Sequence, residues 1–468
     1  MKRLIIMSII LSLMGCSLNG PKKYNELKFN KSISWPDYKI TSFKSNNGIN
    51  FFLIEDHELP IIKFNIYVKG GKYAVPRGKE GLGFILAQML RMGGTKKYPG
   101  EKLDVFLEDR AVEYNIDFDL LNGEIDIDLL KKDFYTVMPV IIESLANPIF
   151  TKDKLNLAKM RLLTIIARRN DRQEEVGIRE FKRIIYGKHS LLGRIPTKKS
   201  VEDISLQDVR SFYQKLFVGP NILVGVVGDF DKNNIKQKLD KLFQAFKKGE
   251  EIKFDFSKVN PPICKRYIID KPGSNQAFII LGHLGGYRLN PDFAPLQVMN
   301  MVLSGGFSGR LFENIRTKMG LAYSVYGHFG GERYYPGLFF VAFKTKNSSV
   351  IRAIEAVIDE LEKIKQYGAK EKEVEEAKEQ FLSSLVFRYD SPKKVLERRL
   401  YYEIRGMDPD SFKKLINDIK AVTVEDVNRV AKKYLHPKDV DILVVGDKKD
   451  IGEELKKIGH FQDWELEQ

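Results

Sequence analysis

An α+β fold of two homologous halves, each a mainly antiparallel sheet covered by helices, is predicted by three features of this sequence. They are an internal repeat, helix and strand periodicities mixed within each copy, and enough apolar residues for more than one core. Sliding the chain along itself by 218 residues aligns SLQDVRSFYQKLFVGPNILVGVVGD (205–229) with TVEDVNRVAKKYLHPKDVDILVVGD (423–447) without a gap. Seven positions are identical: Asp208/Asp426, Val209/Val427, Lys215/Lys433, Val226/Val444, Val227/Val445, Gly228/Gly446 and Asp229/Asp447. Of the 468 residues 43% are apolar and 11% aromatic, which excludes a disordered, collagenous or disulfide-stapled chain.

The elements follow in order. Each repeat copy opens on a Ser or Thr N-cap, continues as an amphipathic helix, and ends in an apolar strand that turns at Gly-Asp. At an offset of 219, Ala158, Lys159, Leu162, Leu163 and Ile166 fall on Ala377, Lys378, Phe381, Leu382 and Leu385, a helical spacing in both copies. Ile116, Phe118 and Leu120 alternate with Asp117 and Asp119, Asn122-Gly123 is the expected turn, and Ile125, Ile127 and Leu129 alternate with Asp126 and Asp128. That is a half-buried hairpin with an acidic face. In the second copy Ile351, Ile354, Val357, Ile358, Leu361 and Ile364 predict a helix that stops before Gly368. Between the copies, residues 247–267 carry charge and Pro261-Pro262 and are expected to be an extended linker, separating domains at 38–246 and 268–468.

The first residues form an address. Lys2 and Arg3 precede the apolar run Leu4 to Leu13, about half of the ~20 residues that cross a bilayer, so residues 1–15 are expected to be a signal peptide. Leu13-Met14-Gly15-Cys16 resembles the bacterial lipobox, which makes Cys16 the expected lipidation site and residues 16–37 a polar tether. The resulting expectation is a lipid-anchored protein of the bacterial cell envelope, facing the periplasm or associated with the outer membrane. The formal charge of +15 is spread along the chain, giving a basic surface and no nucleic-acid motif. Cys264, the other cysteine, is too distant from Cys16 for any metal or redox pairing by motif.

The segment Gly81-Leu82-Gly83-Phe84-Ile85-Leu86-Ala87-Gln88-Met89-Leu90 resembles the zinc-binding helix of the insulinase and pitrilysin-type metallopeptidases, whose motif has His-x-x-Glu-His order. Two imidazoles on one helical face hold the metal there, and the carboxylate takes a proton from its water. Here those positions are Phe84, Ala87 and Gln88, so all three functional groups are missing. The third ligand of that family falls at Thr164 or Ile165, and residues 154–170 contain no carboxylate. No two of the six histidines stand four residues apart. The chain itself is therefore expected to bind no zinc.

The second half is different. LSGGFSGRLFENIRTKMGLAYSVYGHF (303–329) is similar to the family's second signature, which implies that Arg316 and Tyr323 grip substrate. A guanidinium and a phenol can donate to a peptide carbonyl and to the oxyanion formed from it. The ordinary alternative is an ion pair of Arg316 with Glu313 on a helix and a strand position for Tyr323. The resemblance covers residues 38 to about 450 and implies a clamshell of two facing halves. It further implies a non-catalytic subunit of a heterodimer, similar to the partner chain of the mitochondrial processing peptidase. Zinc is expected in a paralogous partner, peptides are the expected substrates, and a catalytically silent scaffold or peptide-binding lipoprotein is the alternative.

Overall fold

The computed structural model describes residues 38–259 and 264–467. The expected signal peptide, the expected lipidation site Cys16 and the expected tether lie outside the described residues. Two six-stranded sheets form the frame. The first contains β1 (Thr41–Lys44), β2 (Asn50–Glu55), β3 (Ile61–Lys69), β4 (Glu113–Phe118), β5 (Asn122–Leu130) and β6 (Ile222–Gly228), in the order β1-β2-β6-β3-β5-β4. The second contains β7 (Arg266–Asp270), β8 (Gln276–Leu284), β10 (Val325–Phe329), β12 (Leu338–Lys346), β13 (Asp441–Gly446) and β14 (Gln462–Asp463), in the order β10-β12-β8-β13-β7-β14. A short parallel pair, β9 (Gly286–Tyr287) with β11 (Gly331–Glu332), stands apart.

Leaving out the edge strands β1 and β14, the two orders are the same, and in both sheets one parallel pair (β2 with β6, β7 with β13) is followed by antiparallel pairs. The repeat explains this. The Ser205 and Thr423 hydroxyls each accept a hydrogen bond from the backbone N–H three residues on, and their own N–H groups donate to the Asp208 or Asp426 carboxylate, starting the helices Leu206–Leu216 and Val424–Tyr434. Each helix leads to a fully buried strand, β6 or β13. Ala158, Leu162 and Ile166 of the Lys152–Arg168 helix are buried, as are their counterparts Ala377, Phe381 and Leu385. The helix Val350–Tyr367 ends at Gly368, whose φ of 77° suits glycine.

The acidic hairpin turns two residues earlier than its sequence suggests. Phe118 pairs with Gly123, Asp119 N–H donates to the Asn122 carbonyl, and Leu120-Leu121 make the turn, so Asn122-Gly123 begin β5. Burial of Leu121 under a helix from the other half accounts for the difference, since apolar contact there outweighs the local Asn-Gly preference.

That helix belongs to an exchange the repeat did not reveal. The Gln173–Tyr186 helix of the first half lays Val176, Phe181, Ile184 and Ile185 on the second sheet, against Tyr267, Ile269, Phe278 and Leu443. Its counterpart 219 positions on, Pro392–Ile404, lays Leu396, Leu400 and Ile404 on the first sheet, against Phe52, Ile54, Leu223 and Val227. Each half thus completes the other's core. The segment 247–259 has no regular structure, yet Phe254 and Phe256 pack with Tyr73 and Tyr334, which belong to different halves. After β14, the Trp464 indole donates to Glu180 (2.8 Å) and Glu467 pairs with Arg183 (2.6 Å), fastening the last residues to the first half's exchanged helix. Among the described residues no helix is long and apolar enough to cross a membrane.

Candidate functional site

The helix Leu82–Gly93 is apolar on most sides because it is enclosed on most sides. It packs against β4 and against the Lys152–Arg168 helix, burying nine of its residues. Phe84 and Gln88, four residues apart, are half-buried on one face, and Ala87 is buried. The amide oxygen of Gln88 accepts a hydrogen bond of 2.7 Å from Nη1 of Arg161. Thr164 is exposed and its hydroxyl donates to the Met160 carbonyl (2.9 Å), while Ile165 is 52% exposed. The donor set at the expected metal position is therefore a phenyl ring, a methyl group, an amide and either a hydroxyl turned to its own helix or an aliphatic chain. It does not fit zinc, which requires imidazole, thiolate or carboxylate donors. No group of three His, Cys, Asp or Glu able to hold a metal occurs among the described residues. His57 instead pairs with Asp229 at 2.6 Å, and buried His283 bonds the neighbouring Leu284 carbonyl at 2.7 Å.

The second-half signature builds a different surface. Residues Phe312–Lys318 wind as a π-helix, a wider turn that brings residues five apart together. Glu313 accordingly pairs with Lys318 (2.9 Å), leaving Arg316 without the i, i+3 ion pair expected of an ordinary helix. The Arg316 guanidinium lies 4.5 Å from the Phe312 ring centre and 4.8 Å from that of Tyr323. Cation–π attraction to both rings holds it. Tyr323 stands in a bend before β10, not in the strand, and is 81% exposed. The equally exposed Phe307 packs edge-on against Phe312 at 4.9 Å, extending the stack.

The backbone beneath is firmly held. Leu311, Ile315, Leu321 and Ala322 are buried, Thr345 Oγ1 donates to the Leu321 carbonyl (2.6 Å), and Leu321 N–H donates to Ile315 (2.9 Å). Arg310 forks onto both Glu373 carboxylate oxygens at 2.7 Å, tying the segment to the Glu371–Val386 helix. Arg316 and Tyr323 are thus brought side by side over a buried base. Sequence reasoning missed Phe312 and Arg161. Phe312, four residues before Arg316, carried a spacing signal; Arg161 carried none beyond its place one turn before Ile165.

Residues 50–195 match the family described as Insulinase (Peptidase family M16), and residues 203–381 match the Peptidase M16 inactive domain. The chain belongs to the M16 insulinase family. Among its relatives is the "non-peptidase homolog YmxG" of Helicobacter pylori, 24% identical over 405 residues, covering 84% of this chain and 91% of the relative. An "uncharacterized zinc protease" of Streptomyces coelicolor is 26% identical, covering 69% of this chain and 71% of the relative. The solved M16 inactive domain from Pseudomonas fluorescens shares the fold at a TM-score of 0.77 with 21% identity, over 87% of this chain and 98% of that one. Within this M16 chain the two halves therefore differ in kind: the first has the zinc helix without its ligands, the second has the signature with its arginine and tyrosine.

Proposed function

We propose that this chain is a non-catalytic subunit of an M16 peptidase complex, paired with a zinc-bearing paralogue and contributing Arg316 and Tyr323 to substrate held at the partner's site. The observation that carries the reading is the Arg316 stack. A guanidinium fixed between Phe312 and Tyr323, with no carboxylate partner among the described residues, keeps its donors for a ligand. The name of the Helicobacter relative, a non-peptidase homolog, supports the absence of hydrolysis by this chain alone. Peptides are the proposed substrates, added as a strand to a sheet edge. β4 is such an edge and lies against the Leu82–Gly93 helix. Lipid on Cys16 would hold the complex at the bacterial envelope.

The test is reconstitution with the zinc-bearing paralogue and a fluorogenic peptide. Arg316→Ala should lower turnover about a hundredfold and Tyr323→Phe about tenfold, the scale for removing donors to a developing oxyanion. Full turnover in both variants would overturn the roles assigned here. A complex that binds peptide without turnover would favour the silent scaffold. Replacement of Cys16 by Ser should release the protein from membranes, and unchanged membrane association would remove the anchor.

A further inference from the structure

The vacated metal position contains a charge of its own. Arg161 reaches Gln88 through one N–H, and a guanidinium has five, so its remaining donors are uncommitted; it forms no ion pair among the described residues. Arg161 and Ile165 are one turn apart on one helix, Phe84 and Gln88 one turn apart on the other, and the two helices pack together. Arg161 and Gln88 therefore meet where the two helices pack, with half-buried Phe84 one turn from Gln88 and exposed Ile165 one turn from Arg161. The two helices themselves carry Arg91, Lys152, Lys154, Lys159, Arg161 and Arg168 against the single acid Asp153, although Arg91 is paired with Asp104 and Lys159 lies near Glu202, Asp203 and Asp208, which leaves Arg161 as the cation at Gln88.

We propose that this position is a carboxylate-binding site for peptides, with Arg161 as the anchor, Gln88 orienting its planar fork, and Phe84 and Ile165 receiving an apolar side chain beside the carboxylate. The chemistry follows from the residues. A guanidinium matches a carboxylate with two parallel N–H···O bonds, and an exposed isoleucine beside it gains by burial against an apolar group. Buried Ala87 stands where the catalytic carboxylate of an active member would be, so a peptide end placed here meets no proton acceptor and is held without being cut. The carboxylate could be a peptide's C-terminus or an Asp or Glu side chain. The apolar pair beside Arg161 fits both, and the experiment separates them.

The measurement is fluorescence anisotropy of the full chain with three labelled peptides: one ending in leucine with a free carboxylate, its C-terminal amide, and that amide with one internal aspartate. Wild type should bind the free acid about tenfold or more tighter than the amide, the scale of a charge-assisted hydrogen bond. Restored affinity in the aspartate amide would identify a side-chain source; amide-like affinity would identify the terminus. Arg161→Gln should abolish the preference for acid over amide, Arg161→Lys should retain part of it, and Ile165→Ala should weaken acid and amide equally. Arg161 is exposed, so an unchanged melting temperature checks that the variants fold. Arg168→Ala, at an exposed arginine on the same helix, should leave the acid-to-amide ratio unchanged, and because the measurement needs no partner subunit its outcome is separate from that of the substrate grip proposed above. Equal binding of acid and amide, binding of none of the three peptides, or a preference that survives Arg161→Gln would each overturn the proposal.

Discussion

Both sheets receive a helix from the opposite half, but on surfaces of different character. On the second sheet the receiving strands present Phe278 and Ile280 of β8 and Phe340 and Ala342 of β12, and the Gln173–Tyr186 helix sits on them through apolar contacts. On the first sheet the corresponding strands present Lys63, Asn65 and Tyr67 of β3 and Glu124, Asp126 and Asp128 of β5. Lys393 reaches Asp128 at 3.4 Å, and the Asn65 amide reaches Glu397 at 3.5 Å. Glycines that permit close approach also trade sides. Gly177 is on the visiting helix in one case, where an added Cβ would lie 2.4 Å from the Phe278 ring. Gly225 is on the receiving sheet in the other, where an added Cβ would lie 2.9 Å from Leu396. One exchange is an apolar core and the other is partly a charged seam, so a duplicated frame does not require duplicated energetics.

The sharpest way to break that contrast is through Arg183. It is 1% exposed and shares buried Glu180 with Arg179 and Trp464, so the fully buried charge at the apolar exchange lies in one tightly bonded cluster. Arg183→Ala leaves Glu180 buried with fewer partners and should cost about 3–5 kcal/mol in denaturant unfolding. A loss below about 1 kcal/mol would mean that the cluster is solvated. Next in size, Gly177→Val and Gly225→Val should each cost about 1–3 kcal/mol by overpacking. Because each exchanged helix completes the other half's core, both variants should unfold in one transition; two separate transitions would show that the halves are independent.

The seam and the core should also respond to pH with opposite sign. Burial, and then the charge of Asp126, push the Glu124 carboxyl from its ordinary 4.5 up to about 7, with Asp126 and Glu397 raised beside it. A carboxyl that holds its proton more tightly when folded loses stability as pH climbs from about 4.5 to about 7, and the loss is complete above that. Burial also works against ionised Glu180, but hydrogen bonds from Trp464 and Arg179 and the charge of Arg183 outweigh it and hold that carboxyl below its usual value. Its contribution is lost instead as pH falls below about 4.5. Glu124→Gln should therefore raise the melting temperature at pH 8 and leave it nearly unchanged at pH 4.5. An equal shift at both would show that the seam does not titrate.

How much of this was legible follows from where the information lies. The repeat at 205–229 and 423–447 exposed strand, helix and cap because those are local signals within a few residues. The exchanged helices were equally periodic, but periodicity says that a helix buries a face, never which sheet receives it, and residues 173–186 and 392–404 sit next in the chain to the wrong sheet. At the sites, the missing zinc ligands were visible as residue identities alone. The company of Arg316 was only half visible: an ordinary helix would have paired it with Glu313, and the π-helical turn that releases it has no simple sequence sign. Arg161 lay hidden because its meaning depends on Gln88, 73 positions away.

The smallest expected effect tests the contrast at the sites themselves. If Arg316 and Tyr323 exist for a ligand, removing them should hardly change the fold, because Tyr323 is 81% exposed and Arg316 rests on two rings without an ion pair among the described residues. Arg316→Ala and Tyr323→Phe should each move stability by no more than about 0.5 kcal/mol. By contrast Arg310→Ala, which removes the fork onto Glu373 and the bond to the Gly368 carbonyl, should cost at least about 1.5 kcal/mol. Two arginines six residues apart in one signature would then separate cleanly, one holding the segment in place and the other held out by it. If Arg316→Ala proves as destabilising as Arg310→Ala, the stack is part of the frame, and its guanidinium is not reserved for substrate.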